Sequence, residues 1–367
     1  MGGVKLAFLG CGDVAQRDYL PEFHRLGDRA EIVAVCGRTA ARAATVAAQY
    51  GIPHVYTDYQ QMLAETDADA VINLTPIQLH AETTLAALAA GKHVYTEKPV
   101  ASTVADAVRI RDAAATAQRK LVCAPCVMLF PQVRYARQLL DEGRLGPVFS
   151  AAAHGLMGVP PWHGYTSDPS PFFAKGGGPA MDMGVYPLHA LTGLLGPVRR
   201  VTAMISKVLN SFVVEDGALA GRRIPVEADD NWKLILDFGE GRLATLETNN
   251  VIVSTRAPMF ELHGLLGTLA LDVIDVGAPV EILRAGHGWE EIAPPFPVAH
   301  AAGRAAGPDH HLGIEHLVDC IEFDRAPVLS IDHALHVIDV LEQAAVSART
   351  GQVQTVTSRF VMPLKGD

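Results

Sequence analysis

A short apolar run, Val4 to Leu9, leads directly into the glycine loop Gly10-Cys11-Gly12-Asp13-Val14-Ala15. Gly10 permits a tight turn, Gly12 lets a phosphate group approach the backbone, and Ala15 lets the next helix pack closely on the strand. The free N–H groups at the start of that helix attract anions. This order of strand, loop and helix predicts a dinucleotide-binding unit.

Residues 1–125 alternate short apolar runs with helical patterns, which is typical of a parallel sheet wrapped by helices. The predicted strands are fully apolar, as in a sheet buried on both faces, and they cover residues 4–9, 32–36, 70–74, 93–96 and 121–127. The predicted helices between them cover residues 14–26, 40–50, 78–90 and 104–117. The sequence therefore predicts an α/β dinucleotide-binding domain over residues 1–125.

Residues 126–367 have a different character and form a predicted second domain. Strand-like runs separated by Gly, Asp and Asn extend from Val198 to Leu283, as in an antiparallel sheet, and they include a turn at Gly239-Glu240-Gly241. Helices are predicted over residues 131–142, 181–195, 311–322 and 331–350. A long stretch rich in Gly, Pro and aromatic residues, 155–179, lies between them, and a loop of that length is usually functional.

Composition excludes several classes of function. The 367 residues carry a formal net charge of -10, and nucleic-acid binding needs a basic surface. No signal-peptide pattern and no run of ~18 apolar residues is present, which favours a cytoplasmic protein without a membrane partner. The five cysteines are scattered, as in a reducing compartment. Cys123 and Cys126 lie on a predicted strand with side chains on opposite faces, so we expect neither a metal site nor a redox pair.

The end of the second strand, Cys36-Gly37-Arg38-Thr39, bears on the choice of cofactor. NAD sites usually carry an acidic residue there that bonds the ribose 2′-hydroxyl. No acid is present, and Arg38 can pair with a 2′-phosphate or simply be a solvated residue that opens the next helix. The sequence therefore favours NADP(H), with NAD(H) possible.

Glu97-Lys98-Pro99 follows the predicted strand 93–96, at the edge of the sheet where ligands bind. A lysine at this edge can bond a substrate hydroxyl and help move its proton as a hydride leaves the carbon. The alternative is a surface salt bridge between neighbours. Sequence does not decide whether the Lys98–Pro99 peptide is cis.

Asp182, Tyr186 and His189 follow three glycines, 176–178, and fall on one face of the predicted helix 181–195. A carboxylate, a phenol and an imidazole together suit proton transfer, although buried Tyr and His side chains often only bond a backbone carbonyl. In the long loop, Trp162, His163 and Tyr165 are candidate substrate contacts or loop packing.

A histidine-rich segment near the end of the chain is the remaining candidate for a metal site. Asp309, His310 and His311 are followed by His316, and this spacing matches no familiar zinc pattern. Capping of the next helix by Asp309 explains the segment better. We therefore expect no metal.

These motifs resemble the glucose-fructose oxidoreductase / inositol dehydrogenase (Gfo/Idh/MocA) family over nearly the whole chain. The matching segments are Gly10-Cys11-Gly12, Asn73-Leu74-Thr75-Pro76 with His80, Gly91-Lys92-His93-Val94, Glu97-Lys98-Pro99, and Gly177-Gly178 before Asp182-Met183-Gly184-Val185-Tyr186. The resemblance implies an N-terminal Rossmann domain, a doubly wound parallel sheet, and a C-terminal α+β domain with a large, open, mostly antiparallel sheet. That sheet commonly forms a dimer or tetramer interface, and the terminal helix is expected to pack back on the first domain.

For the site, the resemblance implies cofactor contacts from the glycine loop, Gly37, Arg38, Thr75, Pro76, His80, Glu97 and Lys98. It also places Lys98 near nicotinamide and substrate, and Asp182 on the substrate. Tyr186 stands where inositol-dehydrogenase-like members have a histidine acid/base. A phenol with a pKa near ~10 is a poor base unless Lys98 lowers that pKa, and His189 is the rival candidate.

The sequence thus predicts hydride transfer between NADP(H) or NAD(H) and a hydroxyl or carbonyl carbon of a sugar, polyol or related cyclic substrate. One alternative is a redox-neutral, NAD-dependent elimination or glycoside cleavage. Another is a cofactor-binding regulator without catalysis, which the presence of Lys98 and Asp182 disfavours. Assembly is expected to be a homodimer or homotetramer.

Overall fold

The computed structural model describes residues 2–156, 158–160, 165–215, 219–298 and 306–364. Its first half is a parallel sheet whose strands are β1 (Val4–Leu9), β2 (Ala30–Cys36), β3 (His54–Tyr56), β4 (Ala70–Asn73), β5 (His93–Thr96) and β6 (Leu121–Cys123). The helices around it are α1 (Ala40–Tyr50), α2 (Tyr59–Glu65), α3 (His80–Ala89) and α4 (Val104–Ala117). The spatial order β3-β2-β1-β4-β5-β6 is that of a doubly wound Rossmann sheet, which confirms the prediction.

Local signals explain most of these elements. β1 and β4 are buried almost throughout because helices cover both faces of the sheet. α1 ends at Gly51, which adopts a left-handed conformation with φ 67°. The Asp58 side chain accepts N–H bonds from Gln60 and Gln61 and so caps α2.

Two predicted elements of this half differ in the structure. The segment predicted as one helix, 14–26, consists of a π-helical piece, Ala15–Tyr19, and a 3₁₀-helical piece, Leu20–Arg29, with a non-helical Gly27. The sixth strand ends at Cys123 rather than residue 127, because Pro125 has no N–H to donate to a neighbouring strand. β3 and α2 were not predicted, since β3 has only three residues and is half exposed.

The second half is built on a mixed sheet of nine strands in the order β16-β15-β14-β13-β7-β12-β11-β8-β17. Its strands are β7 (Val148–Gly155), β8 (Arg200–Ser206), β11 (Asn231–Gly239), β12 (Arg242–Asn249), β13 (Phe260–Gly264), β14 (Gly267–Leu271), β15 (Val280–Arg284), β16 (Trp289–Ile292) and β17 (Gln354–Thr355). Strands β9 (Ser211–Val213) and β10 (Arg223–Pro225) form a separate ribbon. Among the described strands of this nine-stranded sheet only β7 and β12 pair in parallel, so its predicted mostly antiparallel character is confirmed.

The helices of this half are α5 (Pro131–Asp141), α6 (Ser170–Phe173), α7 (Pro179–Asp182), α8 (Val185–Leu195), α9 (Leu312–Glu322) and α10 (Ile331–Thr350). α5, α7, α8 and α10 contact strands of the nine-stranded sheet, whereas α9 contacts β1, β5 and β6 of the parallel sheet. α8 is buried along its whole length and packs on β7, β12 and α10, while α10 contacts both β8 and α4. Alternation along β11 turns Leu234 and Leu236 toward the helices and leaves Ile235 on the outer face. No described helix is long and apolar enough to cross a membrane.

The predicted helix 181–195 is interrupted. α7 ends at Asp182, and α8 begins at Val185 after the pair Met183-Gly184. Gly184 packs so closely that an added Cβ would lie 2.9 Å from the Ala180 carbonyl oxygen. Asp182 and Tyr186 therefore belong to different helices rather than to one helical face.

The helix after the histidine-rich segment begins without the predicted cap. The residue before α9 is His311, and no side chain caps the helix there. Asp309 instead accepts two bonds from Arg25, at 2.8 and 2.9 Å. The prediction that Asp309 caps α9 was wrong, because an arginine from the first half of the chain competes for the carboxylate.

Three histidines are buried where α8 meets α10 and the C-terminal segment. The His189 ring lies 4.9 Å from that of His333, which stacks on Phe360 at 4.3 Å. His333 Nε2 bonds the Thr192 hydroxyl at 2.7 Å, and His336 Nε2 accepts a backbone N–H. Burial lowers the pKa of His189 and of His336 to about 4 and lowers that of His333 as well.

These histidines make stability depend on pH. Between pH 6.5 and 4 the unfolded chain binds protons that the folded chain does not, so stability is full above 6.5 and is lost as pH falls. Each pH unit in this window should cost up to about 1.4 kcal/mol per histidine. Urea midpoints measured across the window should fall less steeply for His189→Phe than for wild type, and the exposed control His54→Gln should follow wild type. Equal slopes for His189→Phe and wild type would contradict the assignment.

Candidate functional site

A cavity of about 750 Å³ lies at the carboxyl ends of β1, β2, β4 and β5. One wall contains every residue that was predicted to contact the cofactor: Gly10, Cys11, Gly12, Asp13, Val14, Gly37, Arg38, Thr75, Pro76, His80, Glu97 and Lys98. The other wall comes from Asp182 and from a segment that we call the strap, residues 165–174. The volume and the position at the switch point of the sheet are those of a dinucleotide site.

The glycine loop is shaped by close backbone packing. Gly10 has φ +110°, and an added Cβ would lie 2.5 Å from the Leu74 carbonyl oxygen. A Cβ on Gly37 would lie 2.1 Å from the Cys11 sulfur. Larger side chains at these positions would push the loop out of place, so the loop fits a group that approaches the backbone closely, as a pyrophosphate does.

Hydrogen bonds hold the strap against the glycine loop. Ser167 Oγ accepts the backbone N–H of Asp13 at 2.9 Å and a bond from Arg42 at 3.1 Å. The buried Asp13 carboxylate accepts the backbone N–H of Thr166 at 3.0 Å, and the Gln78 side chain donates to Pro171 O at 3.0 Å. The Asp13 side chain therefore holds the strap against the glycine loop.

At one end the cavity is basic. Arg38, in the loop after β2, and Arg42, in the first turn of α1, both line the cavity wall. Arg38 makes no hydrogen bond or ion pair with the residues that the structure describes. Arg42 was not singled out from the sequence, although it lies only four residues after Arg38.

At the other end Lys98 meets Asp182. Lys98 Nζ lies 2.5 Å from Asp182 Oδ1 and 2.9 Å from the Asp182 carbonyl oxygen. The Lys98 side chain is 13% exposed and that of Asp182 only 2%. Within the described residues Asp182 Oδ2 is buried without a hydrogen-bond partner. The pair thus places a cationic donor beside a carboxylate with one unpaired oxygen, which together suit a substrate hydroxyl.

The Tyr186 ring packs against Lys98 of this pair. The Lys98 Nζ lies 5.2 Å from the centre of the Tyr186 ring, and the tyrosine is almost fully buried. Burial, reinforced by the charges of Glu97 and Asp182, raises the pKa of Tyr186 well above its ordinary value. The sequence had left open that Lys98 lowers this pKa, and the surroundings act in the opposite direction.

His189 lies elsewhere in the fold. Its Nδ1 bonds the Val185 carbonyl oxygen at 2.8 Å and its ring faces His333, between α8 and α10. It is absent from the residues that line the cavity. His80 does line the cavity, and its two ring nitrogens lie 2.7 Å from the carbonyl oxygens of Thr75 and Pro99, one of which accepts the single N–H of the neutral ring. His80 therefore ties together the two loops that carry the predicted cofactor and lysine motifs.

The remaining predicted residues are divided. Tyr165 lies on the strap, packs against Phe172 at 5.6 Å and lines the cavity. Trp162 and His163 lie outside the described residues. Cys123 and Cys126 are buried free thiols, and burial raises the pKa of both. No cluster of three or more metal-ligating side chains occurs in the described ranges.

A doubly wound sheet with this loop and cavity defines a Rossmann-type dinucleotide-binding protein. Two family models match the chain: the oxidoreductase family with an NAD-binding Rossmann fold over residues 4–124, and the GFO/IDH/MocA C-terminal domain over residues 133–270. The chain belongs to the Gfo/Idh/MocA oxidoreductase family, as its motifs predicted.

Two curated relatives each match about half of the chain. A dTDP-3,4-didehydro-2,6-dideoxy-alpha-D-glucose 3-reductase from Streptomyces violaceoruber is 35% identical over 205 residues, 55% of this chain and 57% of the relative. The D-glucoside 3-dehydrogenase of Escherichia coli is 32% identical over 195 residues, 53% of this chain and 54% of the relative. The matches thus span little more than half the length of these relatives.

Solved structures match almost the entire chain. The aldose-aldose oxidoreductase of Caulobacter crescentus, complexed with glycerol, superposes with a TM-score of 0.79 at 25% identity. It covers 96% of this chain and 99% of its own. An oxidoreductase domain protein from Kribbella flavida gives a TM-score of 0.82 at 24% identity, covering 98% of this chain and all of its own, and supports the fold alone.

Proposed function

We propose that the chain is an oxidoreductase that moves a hydride between NAD(P) and a hydroxyl or carbonyl carbon of a sugar, polyol or related cyclic substrate. The observation that carries this proposal is the Lys98–Asp182 pair at the reactive edge of the dinucleotide cavity. The names of the relatives, a sugar reductase and a glucoside dehydrogenase, support a sugar as the class of substrate.

In the proposed reaction Lys98 and Asp182 hold the reacting oxygen. The ammonium of Lys98 donates a hydrogen bond to it, and Asp182 Oδ2 accepts the bond from its O–H group. As the hydride leaves the carbon and the alcohol becomes a carbonyl, its O–H proton passes to the Asp182 carboxylate, because the Lys98 ammonium can only donate. Bound NAD(P) supplies the hydride acceptor at the nicotinamide ring. Tyr186 stays protonated because its pKa is raised, and its ring packs against Lys98. His189 is the less favoured candidate for the acid/base, because its side chain faces α10.

Removal of the Lys98 amine should therefore abolish most turnover. We expect Lys98→Ala to lower kcat by roughly 10²–10⁴-fold, since it removes the group that polarises the substrate oxygen and helps to move its proton. The measurement is nicotinamide absorbance with a panel of sugars and polyols and each cofactor. Lys120→Ala is the matched control, because Lys120, directly before β6, forms an ion pair with the exposed Asp324. Unchanged kcat in Lys98→Ala would overturn the assignment.

We also propose that NADP(H) is preferred, with NAD(H) possible. Arg38 and Arg42 line the cavity after β2, and neither Gly37 nor Thr39 supplies the acid that an NAD site usually carries. Two guanidinium groups lining the same end of the cavity suit a 2′-phosphate, which accepts bidentate hydrogen bonds.

Loss of Arg38 should shift this preference. We expect Arg38→Ala to weaken NADP binding relative to NAD by about tenfold or more, the effect of one charge-assisted contact. Dissociation constants for both oxidised cofactors, measured by calorimetry, give the ratio. Arg109→Ala, an exposed residue on α4, should leave the ratio unchanged. An unchanged ratio in Arg38→Ala would refute the role of Arg38.

Assembly, domain boundary and location remain proposals. The outer face of the nine-stranded sheet exposes Met204, Ile235 and Leu243, each at least half accessible, which supports a homodimer or homotetramer through this face.

The parallel sheet ends at Cys123 and the mixed sheet begins at Val148, which supports a boundary near residues 125–126. All five cysteines are free, as expected in the cytoplasm.

A further inference from the structure

A buried network of two phenols and one carboxylate lies next to Lys98, at the reactive end of the cavity. The Tyr19 hydroxyl bonds one carboxylate oxygen of Glu97 and lies 2.7 Å from the hydroxyl of Tyr95. The other Glu97 oxygen accepts the backbone N–H of Lys98 at 2.9 Å. Both tyrosines are fully buried, and Glu97 is 7% exposed. A single carboxylate is thus held on one side by a phenol and on the other by the backbone of the lysine.

The direction of these bonds is fixed by chemistry. Burial raises the pKa of Tyr19 and of Tyr95 well above the ordinary value, so both phenols keep their protons. Tyr19 must donate to Glu97, because a carboxylate only accepts, and its oxygen is then free to accept from Tyr95. The chain of donors therefore runs from Tyr95 through Tyr19 to Glu97.

We propose that Tyr19 is a positioning residue for Lys98, acting through Glu97. The Tyr19 hydroxyl keeps one Glu97 oxygen engaged and the other on the Lys98 backbone, so that the lysine side chain extends to Asp182 rather than to Glu97. Without that hydroxyl, a buried carboxylate oxygen loses its donor, and its unpaired charge attracts the ammonium of the adjacent Lys98 away from Asp182. This inference rests on the proposed function of Lys98 for its catalytic consequence.

The geometry separates this role from simple core packing. Tyr19 contacts the Tyr95 ring at 5.8 Å and stacks on His310 at 5.9 Å, and a phenylalanine would preserve both contacts. Only the hydroxyl reaches Glu97. Tyr19→Phe therefore removes the bond while it keeps nearly all of the buried volume.

The first test is steady-state kinetics of Tyr19→Phe. We expect kcat to fall roughly tenfold to a hundredfold, as for a displaced catalytic group, while the dissociation constant for the dinucleotide changes by less than about twofold. Tyr50→Phe is the matched control, because Tyr50 is a partly buried phenol at the end of α1 and does not line the cavity. In a Glu97→Gln background, Tyr19→Phe should have little further effect, since both changes act through one carboxylate.

The second test does not depend on turnover. Hydrogen exchange of the Lys98 backbone amide reports directly on its bond to Glu97, and it should become faster in Tyr19→Phe but not in Tyr50→Phe. Unchanged exchange, unchanged kcat or additive effects with Glu97→Gln would each overturn the inference. If the wild-type chain reduces no cofactor with any sugar, the proposed function fails, and the exchange measurement still decides whether Tyr19 positions Lys98.

Discussion

The ion pair between Lys98 and Asp182 is the interaction on which the site depends. Lys98 follows β5 of the parallel sheet, whereas Asp182 ends α7 in the second half of the chain. Both side chains are largely shielded from water, so loss of either partner would leave an uncompensated charge. The reactive end of the cavity therefore exists only when the two halves are docked, and the proposed chemistry is a property of their contact.

The same contact explains why this part of the site is so constrained. α7 has only four residues, and Gly184 lets the chain turn into α8 under close contact with the Ala180 carbonyl. This break leaves Asp182 at the end of a short helix facing the cavity, while Tyr186 begins the first turn of a buried one. Glu97 accepts the backbone N–H of Lys98 and so fixes the lysine backbone. The position of the ammonium group is thus set both by Asp182 and by the bond between Glu97 and the Lys98 backbone.

The sequence was most informative where local signals determine structure. The apolar runs and helix stops located most of the parallel sheet, and every predicted cofactor residue lines the cavity. The helix 181–195 was predicted as continuous because Met183 and Gly184 fit its apolar pattern. The break accompanies tertiary packing of Gly184 against Thr248, which no local pattern records.

Long-range contacts were beyond the sequence for a related reason. Ser167 accepts a hydrogen bond from Asp13, which is 154 residues away in the chain, and no local sequence pattern near either residue predicts this contact. The direction of the Tyr186 pKa also depends on burial and on the charge of Glu97, neither of which can be read from the spacing of Asp182 and Tyr186. Arg42 is the exception, because its spacing from Arg38 was visible.

The most direct test of the account is isotope transfer in a single turnover. A sugar or polyol deuterated at its ring carbons is mixed with excess protein and oxidised cofactor, and the reduced nicotinamide is analysed by mass spectrometry. The account predicts one deuterium on the nicotinamide ring in wild type and almost none in the same time with Lys98→Ala. Sugar turnover without deuterium on the nicotinamide would contradict hydride transfer at this site.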